Sequence, residues 1–183
     1  SCTVEINVYG VVTCPTGQQW LDRNLGSQSV PTTRTDHLGY GDIYHYGRLA
    51  DGHEKVDWTS STTANLSPTT TTQVDYADIS NVGHGNFVVN SIGTLSSWTD
   101  LSSYPTPIND NAYLWYTPDG NLNNPCPTGF RVPTNAEVTA EFNLFSPQNT
   151  TGAFDSCLKL PSAGQRRIDT GLLNQTGQSV FIW

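Results

Sequence analysis

The chain has 183 residues, of which 36% are hydrophobic and only 13% are charged, and its net charge is −8. This length suffices for one domain with its own core, so we predict a single domain over residues 1–183. The acidic balance argues against binding of nucleic acid, which needs clustered lysines and arginines, and against binding of an anionic membrane surface. No apolar run approaches the ~20 residues of a membrane helix, so we expect no insertion into a membrane.

Residues 1–14 predict an N-terminal hairpin that turns at Tyr9-Gly10. Before this turn, apolar and polar residues alternate from Val4 to Val8, as in a strand with one apolar face. After the turn, Val11-Val12 suits the returning strand. A further turn is predicted at Pro15 to Gly17.

Cysteine usage predicts disulfide bonds. The four cysteines form no C-x-x-C pair, which disfavours a zinc site or a thioredoxin-like site. Four cysteines allow three pairings; we favour Cys2 with Cys14 across the hairpin, which leaves Cys126 with Cys157. The absence of methionine and the abundance of Thr, Ser and Asn predict a secreted protein whose targeting segment has been removed. We therefore expect an extracellular or cell-surface location, where disulfides persist.

The stretch from Gly39 to Glu54 holds three tyrosines, four glycines and two histidines. Tyr44 and Tyr46 alternate with their neighbours, which suits a short strand, and Asp51-Gly52 suits a turn. Buried aromatic rings serve mostly in packing. We therefore predict a rigid aromatic core element here rather than a direct binding site.

The polar stretch from Val56 to Asp75 is rich in Thr and Ser and predicts a surface loop. Three N-x-S/T triplets are glycosylation candidates in a secreted protein. Their asparagines are Asn65, Asn149 and Asn174.

The segment from Ser96 to Asn124 is long, irregular and rich in aromatic residues, which is typical of a functional loop. Ring faces stack on sugars or anchor protein contacts, while amides and carboxylates orient the ligand. Trp115 lies in an apolar run and is expected to be buried. The predicted ligand-binding residues are Trp98, Tyr104, Tyr116, Asn109, Asp110 and Asn111.

Asn109 to Asn111 and Asp119 also offer hard oxygen ligands, so calcium is an alternative. The spacing of an EF-hand is absent, and we predict no cofactor. The histidines at 37, 45 and 53 are eight residues apart, which fits neither a helical metal pair nor a zinc finger. No G-x-S-x-G elbow or other nucleophile motif is present, so we predict that the protein is not an enzyme.

Residues 134–144 predict a helix. Thr134 and Glu137 have the spacing of a capping box, and an apolar stripe from Val138 to Phe145 should face the core. The remaining predicted elements are short strands, which include Leu158–Leu160, Leu172-Leu173 and Val180–Trp183. Many short strands, one or two helices and long loops predict an α+β domain with antiparallel pairing.

Four ordered motifs resemble the Fibrobacter succinogenes major paralogous domain family. They are QWLDRNLG (Gln19–Gly26), GDIYHYGRLADGHE (Gly41–Glu54), NPCPTGFRVPT (Asn124–Thr134) and LKLPSAGQR (Leu158–Arg166). The last motif has Gln165 where the family usually has tyrosine. The family is similar in pattern to C-type-lectin-like domains and to the formylglycine-generating-enzyme fold. The resemblance therefore implies a C-type-lectin-like fold, an extracellular or phage-borne setting and no catalysis.

Two functional hypotheses follow. The first is a recognition or adhesion module that binds a glycan or protein receptor through its long aromatic loop. The alternative is a structural subunit of an extracellular filament, sheath or virion surface. In the resembling family, further strands follow the position of Trp183; here Val180–Trp183 would leave an apolar edge. A truncated record is the favoured explanation, and self-assembly through this C-terminal edge is the alternative.

Overall fold

The computed structural model describes residues 8–75, 78–90, 97–100, 115 and 123–182. Short strands outnumber helices among these residues, and long connections join them. The strands are β1 (Val11–Thr13), β2 (Gln19–Leu21), β3 (Val56–Trp58), β4 (Ala64–Leu66), β5 (Thr69–Thr70), β6 (Val74–Asp75), β7 (Phe87–Val88), β8 (Thr99–Asp100), β9 (Gln165–Arg166) and β10 (Leu173–Asn174). The helices are α1 (Asn135–Phe142) and α2 (Thr150–Asp155), and His37–Gly39 forms a 3-10 turn.

The described strands form two-stranded ladders. Three ladders are antiparallel, namely β1–β2, β3–β4 and β9–β10. The other two, β5–β7 and β6–β8, are parallel and join segments that are distant in the chain. The α+β class is therefore confirmed, while the pairing is more mixed than the sequence predicted. No helix in the described part of the chain is long and apolar enough to cross a bilayer.

A hairpin closes at the turn that the sequence predicted at residues 15–17, whereas most of the first strand of the hairpin predicted over residues 1–14 lies outside the described residues. Its strands are β1 and β2, with Val11 opposite Leu21 and Thr13 opposite Gln19. The predicted turn at residues 15–17 closes it, because Gly17 donates its N–H to the Cys14 carbonyl at 2.8 Å. Gly17 has a φ of +87°, a left-handed conformation that favours glycine. Residues 1–7 lie outside the described residues.

The prediction of a surface loop from Val56 to Asp75 is wrong. The segment contains β3, β4, β5 and β6. Trp58 and Val74 are buried in it, so two apolar side chains fix a stretch whose composition is otherwise polar. A Thr/Ser-rich turn joins β3 to β4, and Thr59 and Ser60 both donate backbone N–H groups to the Thr63 carbonyl.

Helix α1 confirms the predicted capping box. Thr134 accepts from the Glu137 N–H through its hydroxyl, and the Glu137 carboxylate accepts from the Thr134 N–H at 2.8 Å. Arg131 also donates to the Glu137 carboxylate, and these bonds lower the pKa of Glu137 to about 2. The apolar stripe is not fully covered, because Val138 is only half-buried and Phe142 is 36% exposed.

Two apolar clusters form the described core. The tryptophan cluster contains Val74, Val88 and Trp98, with Ile79, Val82 and Ile168 against it. The disulfide cluster contains Cys14, Ala153, Leu158 and Leu160, with Val12, Trp20, Phe145, Cys157 and Val180 against it. Leu158–Leu160 contributes buried side chains but is not the predicted strand, since Lys159 has a φ of 49°. Residues 180–182 are not in a strand either.

Both predicted disulfide pairings are wrong. Cys14 bonds to Cys157, across a sequence separation of 143 residues, and their Cα atoms are 5.6 Å apart. Cys14 directly follows β1, Cys157 follows α2, and both pack in the disulfide cluster. Tertiary packing rather than the local hairpin therefore determined the pairing. Cys126 is a free thiol, and Cys2 lies outside the described residues.

Replacing Thr134 by alanine should lower the free energy of unfolding by about 1 kcal/mol, because the first turn of α1 loses its side-chain acceptor. Chemical denaturation of both proteins measures the difference. Thr139→Ala is the matched control, since Thr139 is exposed on the same helix and does not cap it. Equal losses in the two variants would contradict the capping role.

Replacing both Cys14 and Cys157 by alanine should lower the free energy of unfolding by about 2–5 kcal/mol, because the unfolded chain gains the conformations that the bond removes. The denaturant m-value should also rise, since the unfolded chain becomes less compact. Val12→Ala removes apolar volume from the same cluster and should leave the m-value unchanged. An unchanged m-value in the double variant would refute this account.

Candidate functional site

The stretch from Gly39 to Glu54 occupies the centre of the described structure, but it forms no strand. His45 is 5% exposed, and its ring stacks on Phe87 and on His53, with ring centroids 3.9 Å and 5.1 Å away. Trp98 lies on the same stack, 5.8 Å from His45. The prediction of a rigid aromatic core element is right, although the element is a series of turns.

Both buried histidines form hydrogen bonds through their rings, His53 through both nitrogens and His45 through Nε2. The Nδ1 of His53 pairs with the Asp51 carboxylate at 2.7 Å, and its Nε2 accepts from the His45 N–H at 2.9 Å. The Nε2 of His45 accepts from the Val88 N–H at 3.0 Å. A chain of hydrogen bonds thus runs from Asp51 through His53 to the backbone of His45, and from the ring of His45 to β7.

Burial keeps these histidines neutral. It lowers the pKa of His45 to about 2, and the nearby His53 and Arg48 act in the same direction. Burial also lowers the pKa of His53, although its hydrogen bond to Asp51 opposes the shift. Each neutral ring accepts one backbone N–H, as the geometry requires.

The arrangement of Asp51 and His53 resembles a base held by an orienting carboxylate, but it has no available base nitrogen. General base catalysis needs a nitrogen within reach of the substrate proton, and the Nε2 of His53 is already bonded to backbone. Asp51, His53 and Glu54 bring three potential metal-ligand atoms within 4.8 Å of one another. A metal would have to replace the hydrogen bonds that hold the turn, so the group works here as structure.

Two buried arginines connect this centre to distant segments. Arg48 is fully buried, pairs with Asp51 at 2.8 Å and donates to the carbonyls of His84 and Asn86. Arg166 donates to the carbonyl and hydroxyl of Ser67 and lies over the Phe87 ring at 4.0 Å.

Three consecutive carbonyls of the central stretch receive side-chain N–H groups from the long aromatic segment. Trp98 Nε1 donates to the Tyr46 carbonyl at 2.7 Å, and Asn123 Nδ2 donates to the Gly47 carbonyl at 3.0 Å. Trp115 Nε1 donates to the Arg48 carbonyl at 3.1 Å. The long segment is therefore fixed near its start, at Trp115 and near its end. We call Trp98, Trp115 and Asn123 the loop anchors.

The structure corrects one predicted ligand-binding residue and confirms another expectation. Trp98 is only 4% exposed and is a loop anchor, so it is not an open binding surface. Trp115 is 5% exposed, as predicted. The other predicted binding residues lie outside the described residues: Tyr104, Tyr116, Asn109, Asp110, Asn111 and the calcium alternative Asp119.

The glycosylation candidates have different surroundings. Asn65 is exposed in β4 and donates to the Asp57 carboxylate. Asn149 caps α2 by accepting from Thr151 and Gly152, and it is also exposed. Asn174 is half-buried in β10. No feature of the local sequence distinguishes these three triplets, because only packing sets their accessibility.

An apolar groove with a volume of about 420 Å³ lies beside α1. The sequence did not predict it, because its walls come from segments throughout the chain. Phe142, Phe181 and Ile182 line it and stay 36%, 50% and 39% exposed. Its other apolar lining residues include Ile43, Tyr44, Cys126, Phe130, Val132, Val138 and Leu158. Only the recurrence of apolar residues in all four motifs could have pointed to it.

Comparison of the chain with protein-family models, with curated proteins and with solved structures finds no match. The resemblance carried by the four motifs therefore remains a prediction.

The neutral His45 predicts a pH dependence of stability. Between about pH 2 and pH 6.5 the unfolded chain binds a proton at His45 that the folded chain does not bind. The free energy of unfolding should therefore fall as pH decreases below 6.5, by up to about 1.4 kcal/mol per pH unit for this histidine.

Denaturation between pH 6.5 and roughly pH 5, above the titration range of most carboxylates, measures this slope. His45→Gln should reduce the slope, because glutamine offers an acceptor to Val88 and does not titrate. His37→Gln, outside the buried stack, serves as the matched control and should keep it. A slope that His45→Gln leaves unchanged would show that His45 is not the group responsible.

Proposed function

We propose that the protein is a non-enzymatic extracellular recognition module, with a C-type-lectin-like arrangement, that binds a glycan or protein receptor through its long aromatic loop. The observation that carries this proposal is the set of loop anchors. Three side chains of one segment bond three successive carbonyls of the central stretch.

Such anchoring gives a long loop a rigid base. Trp98 and Trp115 together leave residues 99–114 between two fixed points, and Trp115 and Asn123 leave residues 116–122 between two more. Recognition loops work this way when a scaffold holds their ends and frees the side chains between them for contact. The residues between the anchors include the predicted contact residues Tyr104, Asn109, Asp110, Asn111 and Tyr116.

The chemistry of the centre supports a binding role over catalysis. Its histidines are buried and uncharged, both accept backbone N–H groups through Nε2, and Arg48 is fully buried. These groups hold the scaffold, so we assign ligand contact to the loop. An extracellular setting is supported by the Cys14–Cys157 bond, since disulfides persist in oxidising compartments.

The alternative is a structural subunit that assembles through an apolar edge. The exposed Phe181 and Ile182 beside the groove favour it, because an uncovered apolar surface of this kind often marks a contact between chains. In this case a neighbouring copy would supply the covering segment, and the purified protein would form polymers.

Binding to a panel of immobilised glycans and extracellular proteins tests the first function. Tyr104→Ala and Tyr116→Ala should weaken binding at least ~10-fold while the melting temperature stays close to that of the parent protein, because ring contacts of this kind contribute more than 1 kcal/mol at hot spots. Unlike the tyrosine replacements, Trp98→Phe should lower the melting temperature in addition to weakening binding, since the Tyr46 carbonyl loses its buried donor.

Val11→Ala is the control for surface changes elsewhere, because Val11 is 52% exposed in β1. Binding that survives both tyrosine replacements would refute the loop as the site. Electron microscopy of the native protein distinguishes the two functions. The structural subunit should form polymers, whereas the recognition module should appear as single particles.

A further inference from the structure

An ion pair at the edge of the central stretch joins a lysine to two buried carboxylates. The Nζ of Lys55 lies 2.7 Å from the Oδ2 of Asp42 and 3.5 Å from the Oε1 of Glu54. The side chains of Asp42 and Glu54 are only 5% and 2% exposed, whereas that of Lys55 is 65% exposed. These three groups take no part in the proposed recognition function.

We propose that Lys55 and Asp42 join in an intramolecular isopeptide bond, an amide between Nζ and Cγ, with Glu54 as the proton carrier. The inference goes beyond the proposed recognition function and does not rest on it. The reaction is the condensation of an amine with a carboxyl group, so it needs neither a cofactor nor an oxidant. The lysine amine is among the nucleophiles that proteins use towards carbonyl carbon.

The reacting atoms already lie close together. Oδ2 of Asp42 is bonded directly to Cγ, so the 2.7 Å hydrogen bond from Nζ brings the nitrogen near that carbon. Well-oriented groups within one molecule react as if their concentration were about 10⁵–10⁸ M. The other carboxyl oxygen, Oδ1, faces the Val56 N–H at 3.4 Å, which is a donor for the negative charge that develops during attack.

The carboxyl group of Asp42 is shielded from water. The backbone of Gly26 packs so closely on it that a Cβ at position 26 would overlap the carboxyl oxygens. Burial raises the pKa of Asp42, although the hydrogen bond from Lys55 opposes the shift. The raised pKa favours the neutral acid, and a neutral carboxyl group accepts a nucleophile better than a carboxylate does.

The amine of Lys55 starts in its protonated form. Burial lowers the pKa of this amine, but the hydrogen bond and the charge of Asp42 outweigh burial, so the net shift is upward. The amine therefore has to release a proton before it attacks, and its hydrogen bond to Asp42 provides the direct path. This transfer produces a neutral amine and a neutral acid, which are the reactive forms.

Glu54 is placed to receive the second proton. Its Oε2 accepts the Gly52 N–H at 2.9 Å, and this bond fixes the carboxylate with Oε1 at 3.5 Å from Nζ of Lys55. A carboxylate beside the reacting nitrogen acts as a general base, and such contacts often shorten only as the reaction proceeds. Glu54 therefore touches the nucleophile directly rather than through another residue.

The reaction balances without any other reactant. The bond between Nζ and Cγ forms, and the bond between Cγ and Oδ2 breaks. The ammonium group of Lys55 gives two protons to the departing oxygen, one directly and one by way of Glu54, and keeps the third in the amide. The products are a neutral amide and one water molecule, which leaves through the exposed side of Lys55.

The bond would close a covalent ring around the central turn. Asp42 and Lys55 are 13 positions apart, and the turn at residues 45–48 lies between them. A cross-link stabilises a folded protein mainly by restricting the unfolded chain. An extracellular domain would thereby gain a link that, unlike a disulfide, is not opened by thiols.

The intact mass of the purified, reduced chain tests the bond. We expect a mass that is lower than the sequence mass by one water. Trypsin cleaves after Arg48, so the bond should leave residues 35–48 covalently joined to residues 49–131. Lys55→Arg should restore the full mass and the separate peptides, because a guanidinium keeps the charge but is not deprotonated. Lys159→Arg changes the other lysine of the chain and should keep the mass loss.

Glu54→Gln tests the proton carrier. Glutamine still accepts the Gly52 N–H but carries no proton, so pulse-labelled chains of this variant should lose water on the order of 100-fold more slowly than the parent protein. An unchanged rate would overturn the role of Glu54. Full mass in the parent protein after prolonged incubation would overturn the bond itself. So would a water loss with residues 35–48 released as a free peptide, because that result indicates a cyclic imide at Asp51-Gly52.

Discussion

The turn at residues 45–48 is the feature on which the rest of the described structure depends. The Arg48 N–H closes it on the His45 carbonyl at 3.1 Å, and Gly47 adopts a φ of +76° within it. This conformation points three successive carbonyls at other parts of the chain. A buried carbonyl without a hydrogen-bond donor lowers the stability of the fold, so each of these three carbonyls needs a donor from another segment. The loop anchors and the central turn therefore stabilise each other.

Buried charge is the second constraint. The chain has few charged residues, yet Arg48, Arg166 and Glu54 are all at most 7% exposed. A buried ion is tolerated only when its hydrogen bonds are complete. Arg48 meets Asp51 and two carbonyls, and Arg166 meets Ser67 and the Gly171 carbonyl. These bonds replace extended sheets as the connection between distant segments, since the described ladders are only two or three residues long.

The loop anchors and the apolar groove meet at Trp115, which lines the groove and donates to the Arg48 carbonyl. The start of the long aromatic segment is held by the hydrogen bond of Trp98 to the central turn, within the tryptophan cluster. The groove lies beside α1 and shares Leu158 and Leu160 with the disulfide cluster.

The sequence by itself determined the features that depend on neighbouring residues. Thr134 and Glu137 specify the start of α1, because a capping box needs only residues three apart. Pro15 to Gly17 specifies the first turn, and the aromatic density of the central stretch specifies its burial. The α+β class follows from many short apolar runs separated by turn residues.

Only the tertiary structure decided the features that join distant residues. Local spacing favoured Cys14 with Cys2, but packing placed Cys14 against Cys157. The sequence favoured Trp98 as a ligand-binding ring. In the structure its indole N–H donates to the carbonyl of Tyr46, 52 positions away, so Trp98 is a loop anchor. The groove likewise exists only because segments from Gln19 to Ile182 meet around it. The sequence shows which groups are able to form hydrogen bonds or to pack. Which partners they take depends on how all the side chains together fill the same buried space.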